Sequence, residues 1–133
     1  MSKRLLVIDD ALIIREMIKD AAREDGWEIA GQATNGQEGI EQYQKLRPDA
    51  VTLDLVMPEF DGLHALRGIK KFDAGARVLV VSALDQPEIL KEALKTGAAD
   101  FVFKPFNKPR LLGALQKIAA RTVVNAEESL QPA

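Results

Sequence analysis

Short apolar runs alternate along this chain with stretches of helical periodicity, and that alternation leaves very few folds open. Leu5-Leu6-Val7-Ile8, Ala50-Val51-Thr52-Leu53 and Val78-Leu79-Val80-Val81 are the clearest runs. Trp27 to Ala33 alternates weakly, and Asp100-Phe101-Val102-Phe103 is the last. Short apolar runs bounded by breakers read as strands buried on both faces. Between them, apolar residues recur at helical spacing: Ile13, Ile14, Met17, Ile18, Ala21 and Ala22; Ile40, Tyr43 and Leu46; Leu63, Leu66 and Ile69; Ile89, Leu90, Ala93 and Leu94; Leu111, Leu115 and Ile118. Gly26 and Gly97 suit helix ends, Pro87 a first turn and Asn107 a cap, while Asn35-Gly36 reads as a turn and Gly68 weakens the third helix. The result is βα repeated five times, which predicts an α/β fold with a parallel sheet covered by helices on both faces.

At 133 residues the chain suits one domain, expected over 1–123, with a mostly polar and disordered tail over 124–133. A net charge of -2 without a basic stripe gives no reason to expect nucleic acid. The absence of cysteine excludes disulfide and thiol chemistry. No run reaches transmembrane length and the N-terminal apolar run is too short for a signal peptide, so no membrane association and a cytoplasmic location are expected.

The strand ends carry the chemistry. The first run ends in Asp9-Asp10, the third in Asp54, the fourth in Ser82 and the fifth in Lys104. Strands of a parallel sheet point one way, so their carboxyl ends share the edge where ligands bind in open α/β folds. Taken singly, each residue has a plain structural use. Asp54 could cap a loop, Asp9-Asp10 could start a helix, and Ser82 and Lys104 could sit on the surface. Together they are chemically compatible. Clustered carboxylates repel one another, and a hard divalent cation such as Mg²⁺ relieves that. A metal, a lysine and a hydroxyl suit a phosphoryl group, and a carboxylate can itself be the nucleophile, giving an aspartyl phosphate.

Ile8-Asp9-Asp10, Leu53-Asp54 with Met57-Pro58 and Asp61-Gly62, Val81-Ser82-Ala83 and Lys104-Pro105-Phe106 resemble the receiver domain of bacterial response regulators, from about Lys3 to Arg121. The resemblance implies a flavodoxin-like doubly wound fold with strand order 2-1-3-4-5. It also implies that Asp54 accepts a phosphoryl group from a sensor histidine kinase or phosphotransfer protein. Asp9, Asp10, Asp54 and the Val56 backbone carbonyl would bind Mg²⁺, with Asp9 acting largely through water. Lys104 would contact the phosphoryl oxygens and Ser82 would swing in to bond them. Phe101 would follow inward, changing a surface made by the fourth helix, fifth strand and fifth helix, where a downstream protein binds. Lys104-Pro105 is a cis-peptide candidate. The absence of an effector domain leans toward a chemotaxis-type regulator or a phosphorelay, as a monomer or a weak phosphorylation-dependent dimer. A fragment of a longer regulator remains an alternative.

Two positions depart from the family's frequent polar choices. In the family these positions flank the path of the hydrolytic water; the resemblance thus implies that the apolar Val56 and Leu84 cannot orient it and that self-dephosphorylation should be slow. Phe101 lacks the hydroxyl of a tyrosine. Other readings fit less well. A phosphatase of the haloacid-dehalogenase type needs a second Asp where Val56 stands, and a flavin or nucleotide binder needs a glycine- or hydroxyl-rich first loop rather than Asp9-Asp10. A scaffold receiver that takes no phosphate would not need the full residue set. His64, Lys70-Lys71, Lys91 and Lys95 read as solvated helix surface, and Trp27 as packing at the second strand.

Overall fold

The computed structural model describes residues 3–59, 61–83 and 86–120. The expected tail over 124–133 and Leu84 lie outside the described residues. The strands are β1 (Lys3–Ile8), β2 (Trp27–Ala33), β3 (Ala50–Leu53), β4 (Val78–Ser82) and β5 (Asp100–Phe103). The helices are α1 (Leu12–Glu24), α2 (Gly36–Leu46), α3 (Gly62–Phe72), α4 (Pro87–Thr96) and α5 (Lys108–Ala120). All strand pairings are parallel, in the order β2-β1-β3-β4-β5, so the expected doubly wound topology is the observed one. The order reverses between β1 and β3, and a crevice opens at their carboxyl ends.

Helices cover both faces. Leu6, Ile8, Val51, Leu53, Val78 and Val80 pack under α2, α3 and α4, with Tyr43, Leu66, Ile69 and Ala93 from those helices. Leu5, Val7, Ala50, Leu79 and Val81 pack under α1 and α5, with Ile18, Leu111, Leu115 and Ile118. Each fully buried Leu or Ile contributes roughly 1.5–3 kcal/mol.

β2 explains its own weak alternation. Leu5 pairs with Ile29 but Leu6 pairs with Gly31, leaving Ala30 as an extra residue in a bulge. Before it, Trp27 and Ile29 join the α1/α5 core; after it, Ala33 joins the opposite core. The slip therefore reverses the facing of every later residue and turns Gln32, paired with Val7, toward α1.

Several surface expectations are corrected. Ile13 is 71% exposed and Met17 and Leu94 are also exposed, because α1 and α4 bury narrower stripes than their periodicity suggests. Asn35 is no turn residue: it caps α2, accepting from the Glu38 N–H at 2.9 Å. His64 is half-buried rather than solvated, and its ring Nε2 lies 2.9 Å from Gln37 Oε1 on α2. Lys70 is tied down, donating to the Ala74 and Ala76 carbonyls at 2.7 and 3.1 Å. Lys71, Lys91 and Lys95 are exposed as expected. Trp27 is buried, with the Lys3 ammonium 5.2 Å from its ring centroid.

Gly62 fixes how closely α3 approaches the crevice. A Cβ there would lie 2.3 Å from the Asp54 carbonyl oxygen and 2.5 Å from the Leu55 Cα, both backbone atoms that cannot step aside. Gly68 lets Ile40 of α2 pack against α3 in the same way, at 2.3 Å from a would-be Cβ. Gly113, on the exposed side of α5, meets nothing within 4 Å. Gly62→Ala should thus cost about 1–3 kcal/mol in urea unfolding. Gly113→Ala should be neutral or stabilise by up to about 1 kcal/mol. Equal midpoints for the two variants would contradict this account.

Candidate functional site

Register brings the acids together. Ile8 and Leu53 are paired across β1 and β3, so the residues that follow them, Asp9 and Asp54, emerge side by side. The Asp54 N–H donates to the Ile8 carbonyl at 3.0 Å and the Asp9 N–H to the Ala33 carbonyl of β2 at 3.0 Å. Both carboxylates are nearly out of solvent, Asp9 at 1% and Asp54 at 5% exposure, whereas Asp10 is exposed.

Asp54 is surrounded by donors. Its Oδ1 accepts from Ser82 Oγ at 3.0 Å and from the Val56 backbone N–H at 3.1 Å. Its Oδ2 accepts from Lys104 Nζ at 3.2 Å. Ser82, itself 7% exposed, thus lies directly against Asp54. The Lys104 N–H donates to the Ser82 carbonyl at 3.0 Å, fixing β5's end beside β4's, and the Lys104–Pro105 bond is cis. Phe101 is half-buried and its ring centroid is 4.9 Å from that of Phe103, which is exposed. The Val56 side chain is 57% exposed at the crevice mouth.

Asp9 is held differently, through one carboxylate oxygen and its own carbonyl. Its Oδ1 accepts from the Ala11 N–H at 2.9 Å, closing the turn into α1, and the Arg15 guanidinium donates to its carbonyl oxygen at 2.8 Å. Its Oδ2 is 2.8 Å from Lys104 Nζ, an ion pair out of line for a hydrogen bond. Asp10 has no side-chain hydrogen bond or ion pair among the described residues. The acids do not cap α1, whose N-cap is Ala11 and whose first turn has no acid.

Burial is the largest influence on Asp9 and raises its pKa from the ordinary aspartate value; Asp54 adds to this, while Lys104 and the Ala11 N–H oppose it. Burial also pulls the Lys104 ammonium down, but Asp9 and Asp54 outweigh it and leave its pKa above the ordinary lysine value. One oxygen from each of Asp9, Asp10 and Asp54 lies within 4.8 Å of the others. An all-oxygen donor set of this kind, with Asp9 Oδ2 lacking an aligned hydrogen bond, fits a hard divalent cation such as Mg²⁺. Two donors at this site, the N–H groups of Val56 and Ala11, are main-chain groups that side-chain motifs do not reveal.

The chain has counterparts among known proteins. A chemotaxis protein CheY from Thermotoga maritima is 46% identical over 119 residues, covering 90% of this chain and 99% of the relative. A chemotaxis protein CheY from Bacillus subtilis is 44% identical over 117 residues, covering 88% and 98%. Among solved structures, the CheX-CheY-BeF3-Mg²⁺ complex from Borrelia burgdorferi matches with a TM-score of 0.83 at 31% identity, covering 86% of this chain and 87% of that one. The model of the response regulator receiver domain matches residues 5–116, and the chain belongs to that family.

Proposed function

We propose that Asp54 is the phosphoacceptor of a chemotaxis-type response regulator, and that its phosphorylation switches the binding of a downstream protein. The observation that carries this is the Asp54 carboxylate itself: buried, yet facing Ser82 Oγ, Lys104 Nζ and the Val56 N–H at 3.0–3.2 Å, with two more acids beside it. In the transfer, an Asp54 oxygen attacks the phosphorus of a phosphohistidine on a sensor kinase or phosphotransfer protein. The phosphorus–nitrogen bond breaks and its electron pair leaves with the imidazole. Lys104 moves its donors from the carboxylate to the phosphoryl oxygens, and Ser82 Oγ donates to the same group. Asp9, Asp10, Asp54 and the Val56 carbonyl would hold Mg²⁺, which when bound offsets the negative charge gathered on the phosphoryl oxygens. The CheY of Borrelia burgdorferi is described in complex with Mg²⁺ and the partner CheX, which supports both a cation and a protein target for this chain.

The switch would run from Ser82 to Phe101 and Phe103, and so to the α4–β5–α5 surface, where Leu94 and Phe103 stand exposed. A two-state equilibrium biased by one local charge change suffices. Val56 in place of a second acid favours a signalling domain over an enzyme that turns over external phosphoesters.

Incubation with Mg²⁺ and acetyl phosphate, read by intact-protein mass, tests the acceptor. Wild type should gain one phosphoryl group only with Mg²⁺, and Asp54→Asn none; an adduct that persists in Asp54→Asn would reassign the acceptor. Val56→Asn places a polar side chain at the crevice mouth and should speed loss of the phosphoryl group; unchanged decay would show that Val56 does not limit hydrolysis.

Asp9 gives a pH-dependent prediction. Its folded pKa lies above its unfolded value, so the folded state carries no cost from it below the unfolded pKa. The cost grows as pH rises from the unfolded pKa towards the folded pKa and levels off above it. Without divalent cation, Asp9→Asn should raise the urea midpoint at pH 7, by about 1 kcal/mol in stability. The gain should fade at a pH below the ordinary aspartate value of about 4. A variant less stable than wild type at pH 7 would reverse this assignment.

A further inference from the structure

Among the described residues, Asp10 is the acid of the crevice whose side chain has no hydrogen-bond or ion-pair partner. Asp9 is fixed by the Ala11 N–H and Lys104, and Asp54 by Ser82, Val56 and Lys104. Asp10 is exposed, yet an oxygen of it comes within 4.8 Å of oxygens of both other acids. With no side-chain partner, its aim depends on the peptide that joins it to Asp9. One side chain grips that peptide. Arg15, in the first turns of α1, donates from Nη1 to the Asp9 carbonyl at 2.8 Å and from Nε to Gln32 Oε1 at 3.0 Å. Gln32 also accepts from Lys19 Nζ at 3.3 Å, so its amide oxygen is anchored from two sides. Gln32 faces α1 only because of the bulge at Ala30. A rigid fork with two defined acceptors fixes the plane of the guanidinium, and hence the direction of the carbonyl it holds.

We propose that Arg15 is a positioning residue for the cation site: by clamping the Asp9 carbonyl to β2 through Gln32, it aims the otherwise unheld Asp10 carboxylate into the crevice. Here Asp10 is taken as a Mg²⁺ ligand, as proposed above. Groups that orient metal ligands typically change metal affinity by roughly 10–100-fold when removed. Arg15→Met keeps the apolar stem and loses both bonds. Lys19→Met removes a donor from the same Gln32 without touching the Asp9 carbonyl, and controls for loss of packing between α1 and β2.

Titration calorimetry with MgCl₂ on the phosphate-free protein, paired with urea unfolding in the absence of cation, separates the outcomes. Arg15→Met should bind Mg²⁺ roughly tenfold more weakly. Lys19→Met, which loosens Gln32 but keeps the Arg15 bond to the Asp9 carbonyl, should weaken binding clearly less than Arg15→Met does, and Arg15→Lys should recover part of the loss, since an ammonium can reach one acceptor but not fix the plane. Mg²⁺ affinity unchanged in Arg15→Met, or lowered equally in Lys19→Met at matched stability, overturns the positioning role and leaves the cation site standing. A wild type that binds no Mg²⁺ overturns the cation site and the positioning role together.

Discussion

Two nearly buried carboxylates, Asp9 and Asp54, share one ammonium, Lys104, at 2.8 and 3.2 Å. Like charges at this spacing are unfavourable in a low-dielectric setting, and one ammonium does not balance two carboxylates. The remainder of the architecture holds this arrangement in place. The pairing of Ile8 with Leu53 puts the two acids level, and the Lys104 N–H on the Ser82 carbonyl brings the lysine in from β5. The two apolar cores keep all four strand ends from spreading. The cation proposed for this crevice would relieve that crowding by bringing positive charge to the carboxylates.

The sequence made the strand ends legible because polar residues closing short apolar runs can serve few purposes together. Asp9, Asp54, Ser82 and Lys104 were each identifiable in that way, and the topology followed from their resemblance to a family rather than from periodicity. What periodicity could not convey was how much of each helix the sheet covers. Ile13 and Met17 share the helical spacing of Ile18, but only Ile18 faces the sheet. Nor did adjacency distinguish Asp9 from Asp10, although one is nearly buried and the other exposed: the difference comes from the Ala11 and Arg15 bonds that turn the chain between them. Lys70 looked like ordinary helix surface because its partners are the Ala74 and Ala76 carbonyls, which no side-chain pattern announces.

Main-chain groups carry much of the geometry of the crevice that side-chain patterns do not show. The Val56 and Ala11 N–H groups and the Asp9 and Ser82 carbonyls together set the geometry of the crevice. Their positions follow from strand register and from the close approach that Gly62 permits, so the chemistry of the site and the packing of α3 are not separable. The division of labour is physical: side chains supply charge and nucleophile, and the backbone supplies direction.

The bulge at Ala30 also bears on how molecules of this chain meet one another. β2 is an outer strand of the sheet, and a bulge kinks and twists such a strand away from the flat geometry that another strand would need for pairing. The Arg4–Glu28 ion pair adds charge along the same strand. On the opposite border β5 is only four residues long and runs into Pro105, which offers no N–H. Both borders are therefore poor templates for strand addition. Aggregation of this protein by sheet extension is therefore disfavoured from either side.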